Sequence, residues 1–305
     1  MPVFLDSLEL GLLYAIMVMG IYISFRILNI PDLTTEGSFT FGLVTSALFV
    51  TKGHPFLGLF IALAAGALSG IVTGFLQTKM KIHPVLAGIL TMSGLYSINL
   101  WVLQGSSNLT LLGSKTIYNL IREKCNQLFG EALSRDTIEI IIAAVVVVIL
   151  VLVLQLFFKT ELGLAIRATG DNADMVRASS INVDTMKMIA LAISNGLIAL
   201  CGGLITQYQS FADVNSGVGT LVVGLASVII GEVFFGRRSI FIGFVSCIAG
   251  SIIYRYIIAI AINSEWFPAY MLKLVSSIIV ALALALPVIK GMIVSRKAKR
   301  RDKLC

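Results

Sequence analysis

Apolar residues along this chain fall in long runs separated by short polar stretches. Few runs show the one-sided periodicity of a helix lying on a water-facing surface. Nine stand out, at 8–28, 37–51, 55–76, 84–104, 137–158, 184–208, 216–236, 240–261 and 270–290. Most approach the length of about 20 residues at which a helix crosses the hydrocarbon core of a bilayer. The run 37–51 is shorter and reads as a broken or re-entrant helix. In lipid a helix satisfies its own backbone hydrogen bonds, whereas an outer-membrane barrel would show alternating segments of about ten residues. The alternating pattern does not occur. The expected fold is therefore all-α: a polytopic membrane bundle of about nine segments (eight to ten) in one transmembrane domain, 1–305.

Composition agrees, with 57% hydrophobic and 13% charged residues, against about 25% charged in soluble domains. The net charge of +7 becomes a topology signal, because cytoplasmic loops of membrane proteins concentrate Lys and Arg. The tail 291–305 holds Arg296, Lys297, Lys299, Arg300, Arg301 and Lys303, which places the C-terminus in the cytoplasm. Counting back through nine segments puts the N-terminus outside. Lys79, Lys81, Lys159, Arg167, Arg177, Arg237 and Arg238 then lie inside, and an extracytoplasmic loop spans 105–136. The basic residues lack interleaved aromatics, so nucleic acid is not an expected partner; the tail is suited to touch anionic lipid. Asp6 and Glu9 stand where a cleavable signal would be positive. Cys125, Cys201, Cys247 and Cys305 have no metal or redox spacing. Cys201 and Cys247 read as small packing residues.

Two stretches are more than tethers. In the cytoplasmic connection 159–183, Leu162, Ala165, Ile166 and Thr169 share one face of a short helix, and Asp171-Asn172 offers an N-cap for a second helix carrying Met175 and Val176. Such an element suits either docking to a soluble partner or lying on lipid headgroups. The second clue is a weak internal similarity between Ile30-Pro31-Asp32-Leu33-Thr34-Thr35-Glu36-Gly37 and Phe211-Ala212-Asp213-Val214-Asn215-Ser216-Gly217. Both have an Asp two positions after an apolar residue, then polar residues and a glycine opening a helix. They follow segments that run in opposite directions, the pattern of an inverted repeat whose helix breaks sit near a substrate path. Ordinary helix-to-helix turns also use Asp and Gly.

Catalytic chemistry is missing. There is no phosphate loop, since Gly113-Ser114-Lys115-Thr116 lacks the Gly-Lys pair, and no metal-ligand or nucleophile motif. His54 and His83 sit at loop edges. Arg255 lies inside 240–261, placed to snorkel or to bond a backbone carbonyl, and an intramembrane charge is a functional candidate. Glu232 is placed to cap its helix or to pair with Arg237 or Arg238. No segment offers a convincing buried carboxylate, which counts against a proton-coupled carrier. Gly66, Gly70 and Gly74 form overlapping small-residue steps suited to close packing, within the chain or at a dimer seam.

The stretch Gly163-Leu164-Ala165-Ile166-Arg167-Ala168-Thr169-Gly170-Asp171-Asn172, continuing to Met175 and Ile181-Asn182-Val183, resembles the coupling region of ABC importer permeases of the branched-chain amino acid and ribose type. Further matches run through Phe25-Arg26-Ile27-Leu28, Leu86 to Met92, Ser194-Asn195-Gly196 and Gly224 to Glu232, covering nearly the whole chain outside 105–136. Single-permease systems linked to tryptophan or tyrosine uptake are the most similar sub-group. The resemblance implies a multi-pass bacterial plasma-membrane protein that is not an enzyme. It would form a homodimer or paired permease with two cytoplasmic ATPases, which bind ATP and Mg, and an external solute-binding protein. By motif match Gly163, Arg167, Ala168, Gly170, Asn172, Met175, Ile181 and Asn182 couple to the ATPase. Ser179-Ser180 departs from relatives, which often carry glycine before the Ile-Asn pair. Asp32, Thr34, Glu36, Ser38 and Asn215 are candidates for lining the path near the helix breaks.

The implied activity is ATP-driven import of an aromatic or other hydrophobic amino acid by alternating access. Nucleosides or sugars are the alternative substrates, and an ATP-independent carrier the alternative class. A carrier has no use for a structured docking element.

Overall fold

The computed structural model describes residues 2–129, 135–236 and 239–263, with isolated positions between 274 and 285. Segment 270–290 falls largely outside the described residues; Arg237, Arg238 and the tail 291–305 fall wholly outside them. Eleven helices follow in order among the described residues: α1 Pro2–Tyr22, α2 Thr35–Thr51, α3 Pro55–Thr78, α4 Pro84–Val102, α5 Ile117–Phe129, α6 Arg135–Phe157, α7 Glu161–Asp171, α8 Ala173–Ala178, α9 Val183–Gln209, α10 Thr220–Phe235 and α11 Ile240–Asn263. Two three-residue strands, β1 Asn108–Thr110 and β2 Phe211–Asp213, pair antiparallel with Leu109 opposite Ala212. Seven helical stretches are long and apolar enough to cross a membrane, among them 4–27, which joins α1 to the turn after it, and 214–235, which includes α10. The 17-residue α2 is not one of them.

Helix ends follow local chemistry. Pro55 and Pro84 open α3 and α4 at positions where a missing N–H costs nothing. Thr160, Asn172 and Asn182 cap α7, α8 and α9 through their side-chain oxygens.

The core is built around α9, buried along most of its length. Close approach is possible because glycines remove side chains at the contacts. A Cβ on Gly42 of α2 or on Gly66 or Gly70 of α3 would collide with the α9 backbone at Ala199, Asn195 or Leu191. The Gly66, Gly70 and Gly74 steps are thus used inside the chain. On the other side α1 packs against α9 and α11, with Gly20 facing the Ser194 carbonyl and Gly11 facing Ile252. Cys201 and Cys247 are fully buried packing residues. Large apolar residues such as Phe60, Leu68, Val148 and Leu156 face outward, where a bilayer would cover them.

α1 runs from a first end of the bundle to a second. At the first end Gln207 of α9 accepts the Ile117 N–H of α5. At the second end lie α7, α8 and the Lys79–Asp184 ion pair, 3.4 Å. After α1, a π-helical turn at Ile23–Ile27 leads into an extended stretch. That stretch turns back to the bundle's middle before α2 begins. Ser38 at the start of α2 bonds Asn195, near the midpoint of the 27-residue α9. Later in α2, Ser46 reaches Gly203. Beyond it α9 runs from the second end to the first, 210–219 turns back inward to place Gly217 on the Glu36 carbonyl, and α10 runs out to bring Glu232 beside Arg26 at the second end. The short run 37–51 therefore belongs to a 17-residue helix that starts at mid-bundle after a break.

Candidate functional site

The two breaks meet at mid-bundle, and each is shaped by an aspartate. Asp32 Oδ1 accepts the Thr34 N–H at 2.9 Å, and Asp213 Oδ1 accepts the Asn215 N–H at 2.7 Å. Both are the Asx turn that Asp favours where a chain reverses. Asn29, in left-handed backbone at φ 56°, and Gly219, at φ 87°, complete the reversals. Gly217 packs directly on the Glu36 carbonyl and Thr40. Across this contact Glu36 Oε1 accepts the Gly219 N–H at 2.9 Å.

A buried polar ladder fixes the first break. Asp32 Oδ2 accepts Asn195 Nδ2 at 2.7 Å, and Asn195 Oδ1 accepts the Ser38 hydroxyl at 2.7 Å. Ser38 also meets Ser69 at 2.7 Å, Thr34 meets Thr73 at 2.8 Å, and Thr73 donates to Thr91 at 3.0 Å. Each buried polar group gains a partner, as a low-dielectric interior demands. Of the five path candidates, Asp32, Thr34 and Ser38 are fully buried; in this conformation they brace the break and line no open surface. Glu36 does line a cavity of about 290 Å³, beside Thr40, Met92, Tyr96 and Val218. Asn215 is exposed on the second break.

The expectation that the membrane segments hold no buried carboxylate is wrong. Asp32 is fully buried, Glu9 is 1% exposed and Glu139 9%. Asp32 escapes a hydropathy reading because it comes from an extended stretch between apolar runs, and Glu9 because it stands near the edge of its run. A carrier is therefore not disfavoured on that ground. The contact shown for Arg255 among the described residues is with Tyr14: its guanidinium lies over that ring, 3.7 Å from the centroid. The partner shown for Glu232 is Arg26, at 2.7 Å, with Arg237 and Arg238 outside the described residues.

At the second end α7 and α8 form the folded element expected in 159–183. Its buried side is Gly163, Ile166 and Thr169; Leu162 is 47% exposed, so the inward face is rotated from the one expected. The reason is Gly163, whose missing side chain lets α7 settle on the Phe157–Phe158 backbone. Asn172 Oδ1 accepts the N–H groups of Asp174 and Met175, both at 3.1 Å, and so starts α8. Leu164, Arg167, Met175 and Ile181 point outward, Ala168 is half-buried, and Asn182 caps α9. Gly170 is pressed against Ile27 and Leu28 at the end of the π turn, and its carbonyl accepts Asn29 Nδ2 at 3.4 Å. Ser180 adopts φ 61°, the conformation for which glycine is the usual residue.

A family model described as "Branched-chain amino acid transport system / permease component" matches residues 3–293. The chain belongs to this permease family. It is 38% identical to the tyrosine transport system permease protein of Clostridioides difficile over 276 residues, covering 90% of this chain and 88% of that one. An uncharacterized protein of Rickettsia prowazekii is 34% identical over 77% of this chain and 79% of its own length. The ribose import permease protein of Haemophilus influenzae is 24% identical, over 73% and 64%. No solved structure matches the chain.

The permease is thus a multi-pass protein of the bacterial inner membrane and the permease component of an ABC import system. Membership implies partnership with an ATPase and a binding protein. Sequence reasoning missed the residues that join distant segments in this permease: Arg26 to Glu232, Tyr14 to Arg255, and Tyr96 beside Glu36. None carries a local motif. The one signal present was the shared Asp-x-polar spacing of the two breaks.

Proposed function

We propose that this permease moves an aromatic amino acid inward by alternating access, driven by a cytoplasmic ATPase that grips α7 and α8. In this reading the first end faces outside and the second the cytoplasm, where Lys79, Lys159, Arg167 and Arg177 fit the positive-inside rule. Nine segments, an inverted repeat, a cytoplasmic coupling region 159–183, an extracytoplasmic loop 105–136 and a cytoplasmic tail complete the topology. Two permease copies enclose the path, two ATPases bind ATP and Mg, and an external binding protein delivers substrate.

One observation carries this reading: the glycine contact between Gly170 and Ile27–Leu28. It joins the outward-facing α7 to the π turn just before the Asp32 break. π turns recur at functional sites. A shift of α7 is therefore passed to Asn29, then through Asp32 to the Glu36–Gly219 contact between α2 and α10. Glu36 and Asn215 are the accessible path residues, while Asp32, Thr34 and Ser38 hold the break that positions them. The aromatic amino acid follows from the name of the 38% relative; the sugar reading rests on a relative at 24%.

The test separates docking from transmission. Arg167→Glu should abolish co-purification of the ATPase while leaving the permease's melting temperature unchanged. Gly170→Val should leave ATP hydrolysis measurable but uncouple it from uptake in proteoliposomes. Wild-type co-purification and uptake in both variants would sink the assignment of α7 and α8 as the element the ATPase grips.

A further inference from the structure

We infer that Arg255 forms a carboxylate-binding site within the membrane, on the opposite side of the second break from Glu36. Arg255 lines a cavity of about 370 Å³ together with Tyr14, Ser216, Gly219, Thr220 and Tyr254. Among the described residues no carboxylate pairs with it. Stacking on Tyr14 serves the face of the guanidinium and supplies no acceptor to its in-plane N–H groups, of which Nε is buried and without a partner among the described residues. Those groups form the rigid fork that matches a carboxylate with two parallel hydrogen bonds.

The second feature of the cavity is the start of α10. Gly219 and Thr220 open this 16-residue helix at the cavity wall. The Gly219 N–H is held by Glu36, but the first N–H groups of α10 itself have no partner within the helix, and its dipole is positive there. A cation and a helix N-terminus therefore converge on one cavity of a size that small ligands occupy. Both favour the same charge.

The occupant is the carboxylate of the imported amino acid, an assignment that rests on the import reading above. Depth argues against a lipid phosphate. Arg255 stands level with the mid-bundle break, on the same cavity wall as Gly219 and Thr220. Charge argues against a sugar. Val218 lines both this cavity and the one containing Glu36, so a basic and an acidic pole flank a single exposed turn. A zwitterion carries both complements, its ammonium suited to Glu36 and its carboxylate to Arg255.

The test uses the full importer complex in nanodiscs, comparing wild type with Arg255→Lys and Arg255→Gln. Equilibrium binding is measured with radiolabelled tyrosine, 3-(4-hydroxyphenyl)propionate, which lacks the ammonium, and tyramine, which lacks the carboxylate. Wild type should bind the two carboxylates more tightly than tyramine. Arg255→Gln should weaken both carboxylates by about tenfold or more, as expected for a charge-assisted hydrogen bond, with Arg255→Lys intermediate and tyramine unchanged. Benzoate, titrated in parallel, reports the carboxylate site even if tyrosine is the wrong substrate, so failure of tyrosine alone indicts only the substrate reading. Two results overturn the site: equal carboxylate binding by wild type and a stable Arg255→Gln, or loss of a co-purified anionic lipid as the variant's only defect.

Discussion

The Glu36 carboxylate accepts the N–H of Gly219 at 2.9 Å, tying the first turn of α2 to the residue that starts α10. α2 and α10 begin at the same mid-bundle point and run to opposite ends, so their positive ends approach each other. An anionic side chain between them offsets that repulsion and fixes the spacing of the two breaks. It also defines which cavity wall a passing solute meets.

Removing that acceptor is the first prediction. Glu36→Ala should destabilise the detergent-solubilised protein by about 1–3 kcal/mol, the cost of a lost hydrogen bond to a charged group, and reduce uptake at least as far as stability. Glu36→Gln keeps an oxygen acceptor and should melt close to wild type. If the Ala variant melts and transports normally, the contact does not organise the break.

The Asp32–Asn195 pair supports a sharper test of cooperativity. Asp32→Ala leaves the buried Thr34 N–H without its side-chain acceptor and Asn195 Nδ2 with only the Leu191 carbonyl, at 3.1 Å. The expected loss is about 2–5 kcal/mol, read from thermal denaturation. Asn195→Ala should cost a similar amount, and the double variant clearly less than the sum, by about 1–3 kcal/mol. Strict additivity would show that the ladder does not act as a unit.

Ser180 gives a prediction of opposite sign. Left-handed backbone costs an L-residue about 1–2 kcal/mol, while glycine adds back roughly 0.5–1 kcal/mol of unfolded-state entropy. Ser180→Gly should therefore be neutral to about 1 kcal/mol stabilising, and Ser180→Val destabilising, with ATPase co-purification unchanged in the glycine variant. A clear loss on Ser180→Gly would mean that the serine side chain holds the turn.

The sequence pattern gave away the helices because lipid demands long apolar runs, and it placed α7 and α8 because Asn172 and its neighbours carry their own capping chemistry. It also marked both breaks, since an Asx turn is written in a few adjacent residues. What stayed hidden depends on residues far apart in the chain. Nothing near Arg255 announces Tyr14, and nothing near Glu232 announces Arg26. The buried Asp32 was hidden for another reason: hydropathy averages a charge into its neighbours, while its partner Asn195 lies 163 positions away. The rotated face of α7 was missed because Gly163 was read as a coupling residue and not as the point where the helix presses on Phe157–Phe158.

The glycine contacts around α9 also divide the chain by how freely it can drift. At Gly42, Gly66, Gly70 and Gly202 a single added methyl would meet backbone, and backbone cannot rotate away. At Phe60, Leu68, Val148 or Leu156 one apolar side chain can replace another against lipid. A saturation scan should therefore read as two populations, with the smallest residues the least replaceable and the bulkiest the most. Evolutionary variation in this protein is expected to be written on its outside, while its innermost helix is held nearly fixed by positions that have no side chain at all.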